Sequence, residues 1–243
     1  MARALATPCM AMAWHSAQRQ EPHSISLLTR ACLLIGRRVS IHCLRSVRKP
    51  AIKGDRQMFS LAGKAIVVTG GGRGIGRGIA RACARAGAHV VITGRSPEPL
   101  AQTAAELAAI GAEHLVVPGD ITAPGAIDEI VRAAQERFGT IAGWVNNAGS
   151  ANTADVGPMI EIDEGQWDRV VDLNFKWTFF AMQAAARSMA NDGGSIVNIT
   201  SRSGSQPGPM MAQYGAAKAG VDNLTATAAV EWGHLGIRVN AIA

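Results

Sequence analysis

From Lys64 onward the chain alternates between short apolar runs and longer stretches in which apolar residues recur every three or four positions. "KAIVVTG" (64–70) is a continuous run rich in Val and Ile, the pattern of a strand buried on both faces. Glycines follow it and lead into "GIGRGIARACARAG" (74–87), where Ile75, Ile79, Cys83 and Ala86 fall at helical spacing and Gly87 supplies a stop. The alternation then repeats. "HVVIT" (89–93) predicts a second strand, 97–110 an alanine-rich helix, and "HLVVPGD" a third strand ending at Asp120. A helix over 124–137 precedes a strand over 141–147, a helix over about 166–190 precedes a strand over 195–200, and a helix over about 210–234 precedes "IRVNAIA". Six strands separated by helices predict an α/β fold, a doubly wound parallel sheet covered on both faces. No internal repeat or low-complexity linker divides 58–243, so this stretch reads as one domain.

Residues 1–57 differ in kind. They hold ten Lys and Arg against two acids, Glu21 and Asp55, and show no sustained period of 3.6 or 2. The chain's net charge of +6 is thus +8 before Met58 and −2 after it, which removes the case for a nucleic-acid partner of the folded part. Ala31 to Gly36, the longest apolar run of the segment, is far short of the roughly 20 residues that cross a bilayer. Composition rich in Arg and Ser resembles an organellar transit peptide. A disordered extension, or a start placed upstream of Met58, fits the same composition. Three of the four cysteines, Cys9, Cys32 and Cys43, lie here, and Cys83 alone lies beyond. No pair has metal-ligand spacing, and His89, His114 and His234 are far apart, so no metal site is expected. The compartment expected is reducing, cytoplasmic unless the basic segment is a leader.

"TGGGRGIG" (69–76) sits between the first strand and the amino end of the first helix. Glycines let backbone approach a pyrophosphate there, and a helix terminus offers free N–H groups and positive partial charge. "YGAAK" (214–218) places Tyr214 and Lys218 one turn apart on one helix face. An ammonium beside a phenol favours the phenolate, so the pair suits acid–base work.

Thr69-Gly70-x-x-x-Gly74-x-Gly76, Asn146-Asn147-Ala148-Gly149, Ser201 and Tyr214-x-x-x-Lys218, with thirteen residues from Ser201 to Tyr214, together resemble the short-chain dehydrogenase/reductase family. The resemblance spans 58–243 and implies a single-domain Rossmann fold binding NAD or NADP. It implies cofactor contacts at Gly70, Arg73, Gly74, Ile75, Gly76, Asp120, Ile121, Asn147, Ala148 and Gly149, and at Tyr214 and Lys218. Asp120 would accept a hydrogen bond from the adenine amine; its other reading is a turn or helix-cap residue. Gly94 stands where NAD enzymes usually carry an acid, and Arg95 follows it, so NADP is favoured over NAD. In the mechanism implied, Tyr214 exchanges a proton with a substrate oxygen, Lys218 tunes it and holds ribose, Ser201 hydrogen-bonds the same oxygen, and Asn174 anchors a water linking Lys218 to solvent.

The function expected is hydride transfer between nicotinamide and a small carbonyl or alcohol substrate. The alternative within the family is reduction of an enoyl-CoA double bond, suggested by "AAVEWG" ahead of "IRVNAIA". Trp167 and Trp177 read as packing or subunit contact, in line with the homodimers or homotetramers common in the family. Relatives of this kind continue past "NAIA" into Pro-Gly, a substrate loop, a helix and a seventh strand. The expectation for a chain ending at Ala243 is therefore six strands, an unreadable substrate, and either weakened catalysis or a scaffold role.

Overall fold

The computed structural model describes residues 60–243, and the readings made above for the basic N-terminal segment lie outside the described residues. Each apolar run is a strand: β1 (Ala65–Thr69), β2 (His89–Gly94), β3 (His114–Pro118), β4 (Ile141–Asn146), β5 (Gly194–Ile199) and β6 (Ile237–Ile242). All pair in parallel, in the order β3-β2-β1-β4-β5-β6. The intervening helices are α1 (Gly74–Arg85), α2 (Pro97–Ala109), α3 (Ala126–Phe138), α4 (Glu164–Val171), α5 (Trp177–Met189) and α6 (Ala212–Trp232).

Period-two alternation divides the core. Val67, Val91, Trp144 and Ile196 face one way, under Ile127 and Ile130 of α3 and Ala181, Met182, Ala185 and Met189 of α5. Ile66, Val68, Val90 and Ile92 face the other way, under Ala80 and Ala84 of α1 and Leu100 and Leu107 of α2. Each fully buried Val, Leu or Ile contributes about 1.5–3 kcal/mol, so two covered faces explain why the strands carry unbroken apolar runs.

Two expectations need correction. The buried line of α1 is Gly76, Ala80 and Ala84, whereas Ile75 is 66% exposed and Ile79 and Cys83 are half-buried. The helix lies so close to the sheet that its contact line admits only small residues, and the larger apolar ones are turned to the flanks. Second, the helix expected over about 166–190 is not regular throughout: it widens into a π turn over Asp172–Lys176 between α4 and α5. Asp163 also starts α4 earlier than expected: its carboxylate accepts from Gln166 N at 2.7 Å while Gln166 Oε1 accepts from Asp163 N at 3.0 Å.

The strand order reverses between β1 and β4, so the segments leaving these two strands diverge and open a crevice at their carboxyl ends.

Candidate active site

Thr69, the last residue of β1, holds the floor of that crevice together. Its hydroxyl donates to Val145 O (3.2 Å) and accepts from Asn147 N (3.0 Å) and Ala148 N (2.9 Å), tying the exit of β1 to that of β4. Asn147 answers with Nδ2, which donates to Thr69 O at 2.9 Å and Gly70 O at 3.2 Å. Gly70 has φ +66°, and a β-carbon there would lie 2.9 Å from Asn147 Nδ2. Only glycine makes this turn beside β4. Gly74 also has a positive φ, +54°, and open space where its side chain would be. At the N-cap of α1, Arg73 makes no side-chain hydrogen bond, leaving first-turn N–H groups for a ligand.

The crevice holds a cavity of about 310 Å³. Gly70, Arg73, Ile75, Arg95, Asp120, Ile121, Asn147, Ala148, Gly149, Tyr214 and Lys218 all line it. Gly74, Gly76, Asn174 and Ser201 do not. Gly76 lies behind the turn, packed against Gly70 O and Asn147 Nδ2. Ser201 follows the end of β5 and caps a short 3-10 turn, its Oγ accepting from Ser203 N at 3.2 Å. The wall beside it comes from Ile199 and Thr200. Of Asp120, Oδ1 accepts from Thr122 N (2.9 Å) and Thr122 Oγ1 (2.8 Å), a turn-forming use, while Oδ2 lies 3.8 Å from the Arg95 guanidinium.

Lys218 is 5% exposed; its Nζ donates to Ile199 O at 2.9 Å and sits 5.6 Å from the centre of the Tyr214 ring. Burial lowers its pKa from 10.5 to about 8, against the opposing pull of Asp222. Between about pH 8 and 10.5 the unfolded chain holds a proton that the folded chain has released, so stability rises with pH across that window. Below it the fold bears the full cost of a buried ammonium. Lys218→Met is therefore expected to raise unfolding free energy at pH 7 by on the order of 2 kcal/mol, the desolvation relieved less one hydrogen bond lost. Denaturant titrations at pH 7 and above pH 10 check this; a less stable variant at pH 7 would contradict it.

Asn174 occupies the π turn and is fully buried. Its Nδ2 donates to Val170 O, four residues back, at 2.9 Å and to Ser150 O at 2.8 Å, so the side chain competes for a carbonyl of the helix ladder where that ladder widens. Its Oδ1 has no hydrogen-bond partner. A β-carbon on Gly149 would lie 2.6 Å from this oxygen and 3.3 Å from Lys218 Nζ, so both polar groups face one small space that the glycine leaves clear.

Thr69 was visible only as part of the glycine pattern, and Ser150, Leu173 and Thr200, which also line the cavity, carried no signal of their own. Among the described residues no group of three or more His, Cys, Asp or Glu could hold a metal, and no helix is long and apolar enough to cross a membrane.

A glycine turn at a strand-order reversal, with a tyrosine and a buried lysine in the same wall, defines an α/β oxidoreductase site. The family model for short chain dehydrogenases matches residues 64–243. The short chain dehydrogenase/reductase astE of Aspergillus oryzae is 39% identical over 193 residues, covering 78% of this chain and 73% of the relative. A probable 2,4-dienoyl-CoA reductase of Bacillus subtilis is 34% identical over 183 residues, 74% of this chain and 71% of its own. The structure of a citronellol catabolism dehydrogenase from Pseudomonas aeruginosa is 40% identical and superposes with a TM-score of 0.69, covering 75% of this chain and 74% of that one. The chain belongs to the short-chain dehydrogenase/reductase family. It is an oxidoreductase of a family that uses NAD or NADP on small-molecule substrates.

Proposed function

We propose that this protein interconverts a carbonyl and an alcohol with NADPH as the preferred cofactor, Tyr214 acting as general acid or base. The observation carrying this reading is the placement of Tyr214 and the buried Lys218 in one cavity wall with the glycine turn. The domain concerned is 58–243. Its residues fit a dinucleotide: Gly70 gives close backbone approach, Gly76 packs behind it and Gly74 supplies a positive φ, the open first turn of α1 suits a pyrophosphate, and Asp120 and Ile121 would border the adenine while Asn147, Ala148 and Gly149 would border the nicotinamide. The cofactor, when bound, supplies hydride to the carbonyl carbon. Tyr214 gives its proton to the carbonyl oxygen, completing the alcohol. Ser201, whose Oγ accepts from a backbone N–H, keeps its own proton to donate to that same oxygen. Lys218, with a pKa near 8, then returns a proton to the tyrosine, and the unpaired Asn174 Oδ1 suits the water through which Lys218 is resupplied. Fluorescence titration with NADPH, followed by turnover across a panel of ketones and aldehydes, tests the reading; absence of both binding and turnover would end it.

Reduction of an enoyl-CoA is the second reading, favoured by the likeness to the Bacillus subtilis reductase. An intact tyrosine–lysine pair favours carbonyl chemistry. Exposed Trp167, Phe179 and Phe180 on α4 and α5, with Val230 on α6, support association of two copies.

Arg73 and Arg95 both border the cavity, and Arg95 is exposed enough to meet a 2′-phosphate. Arg95→Asp is expected to weaken NADPH binding roughly tenfold and spare NADH, since attraction becomes repulsion at a solvated site. Tighter NADH than NADPH binding in the unaltered protein would overturn the cofactor assignment.

A further inference from the structure

We propose that Gln213 is a positioning residue for Tyr214, and that with Asp155 and Arg169 it latches the β4–α4 loop to the first turn of α6. Gln213 immediately precedes the tyrosine and is 1% exposed. Its Nε2 donates to the main-chain carbonyl of Asp155, 58 residues earlier. Turning the amide over would set two oxygens against each other, so the orientation follows from the chemistry. Asp155 is itself held: its carboxylate, 4% exposed, accepts from Arg169 Nε at 2.9 Å and Asn152 Nδ2 at 3.3 Å.

The loop grips the helix entry from both sides. Gly157 N donates to Met210 O at 3.0 Å, and Met210 takes φ +70°, a left-handed conformation that a non-glycine residue keeps only where its surroundings enforce it. Met211, at the N-cap of α6, makes no side-chain hydrogen bond. With no cap of its own, the start of this helix is held by the loop through the Gly157–Met210 and Gln213–Asp155 hydrogen bonds. Nearer β4 the same loop carries Ser150, which lines the cavity and whose carbonyl accepts from Asn174. A path of direct contacts thus joins the cavity wall, through the Asp155 turn, to the residue before Tyr214. Loss of the latch should displace the tyrosine hydroxyl without removing any group of the reaction.

The proposal rests on the reading of Tyr214 as acid and base, but one test needs no substrate. Tyr214 is the only tyrosine of the chain, so fluorotyrosine incorporation yields a single fluorine resonance that reports on it. Gln213→Met keeps length and apolar burial and removes the donor. Its resonance is expected to shift and broaden in folded protein, and turnover of the uncharged diketone benzil to fall by on the order of 10- to 100-fold in kcat. KM for NADPH should change far less than kcat, since the glycine turn, Arg73 and Arg95 are untouched. Arg169→Gln, at a half-exposed side chain whose amide keeps a donor for Asp155 but loses the charge, should move the resonance the same way and lower kcat less. The double variant should be no slower than Gln213→Met alone, because both break one path. Arg132→Gln, in a surface ion-pair cluster of α3, should change nothing. An unmoved resonance in folded Gln213→Met or Arg169→Gln, or additive losses in the double variant, overturns the latch. A parent protein that binds no NADPH and turns over no carbonyl overturns the functional reading instead, while the fluorine spectra still decide the latch.

Discussion

Tyr214→Phe is expected to lower carbonyl turnover by roughly 10²–10⁴-fold, the share that a positioned proton donor contributes, while leaving NADPH binding close to that of the parent. The phenyl ring preserves the body of the side chain in the cavity wall and its contact with Lys218, 5.6 Å from the ring centre. What goes is the O–H. The substrate oxygen would then take its proton from solvent, while on the proposed reading the glycine turn, Arg73, Arg95 and Asn147 would still hold the dinucleotide. Steady-state rates and a fluorescence titration on the same preparation separate the two effects. Turnover within tenfold of the parent would remove Tyr214 from the mechanism.

Gly76→Ala should act on the other half of the site, and through packing. A methyl there would overlap Gly70 O and come within 2.5 Å of Asn147 Nδ2, the group that donates to Thr69 O and Gly70 O. Neither neighbour can retreat, because one is backbone and the other is hydrogen-bonded to backbone. Overpacking typically costs 1–3 kcal/mol and a buried hydrogen bond left unmade about as much again, against a domain stability of about 5–15 kcal/mol. Dinucleotide affinity should be lost with the shape of the turn. Gly78→Ala, two residues on in the same helix with open space at its β-carbon, is expected to stabilise by about 0.5–1 kcal/mol. Thermal unfolding of the two variants makes the comparison, and similar melting temperatures would refute the packing argument.

The strands were legible because a parallel sheet buries both faces, so that "KAIVVTG" and "HVVIT" need no alternation to be recognised. The glycine turn was legible because its residues have a backbone reason to be glycine. Helical periodicity was a poorer guide. It picked out Ile75, Ile79, Cys83 and Ala86 at helical spacing on α1, where close approach instead buries Gly76, Ala80 and Ala84. The spacing of Tyr214 and Lys218 placed them on one face but said nothing of depth: that Lys218 is buried follows from the carboxyl end of β5, which offers it Ile199 O. Gln213 could not have been singled out, because its partner is a backbone carbonyl and a carbonyl has no residue type. Asn174 was legible by position, its surroundings less so, since the π turn that carries it has no compositional signature.

That π turn has a consequence for how such a site can be inherited. A helix that widens for one turn accommodates an additional residue without lengthening the elements on either side, and wide turns of this sort occur often at functional sites. Asp172–Lys176 is flanked by α4 and α5, each of which continues as an ordinary α-helix, so the irregularity is confined to the five residues that hold Asn174. The neighbourhood of this asparagine is thus a matter of chain length as much as of side-chain identity. A one-residue insertion or deletion in this segment would therefore displace Asn174 as surely as a substitution would remove it.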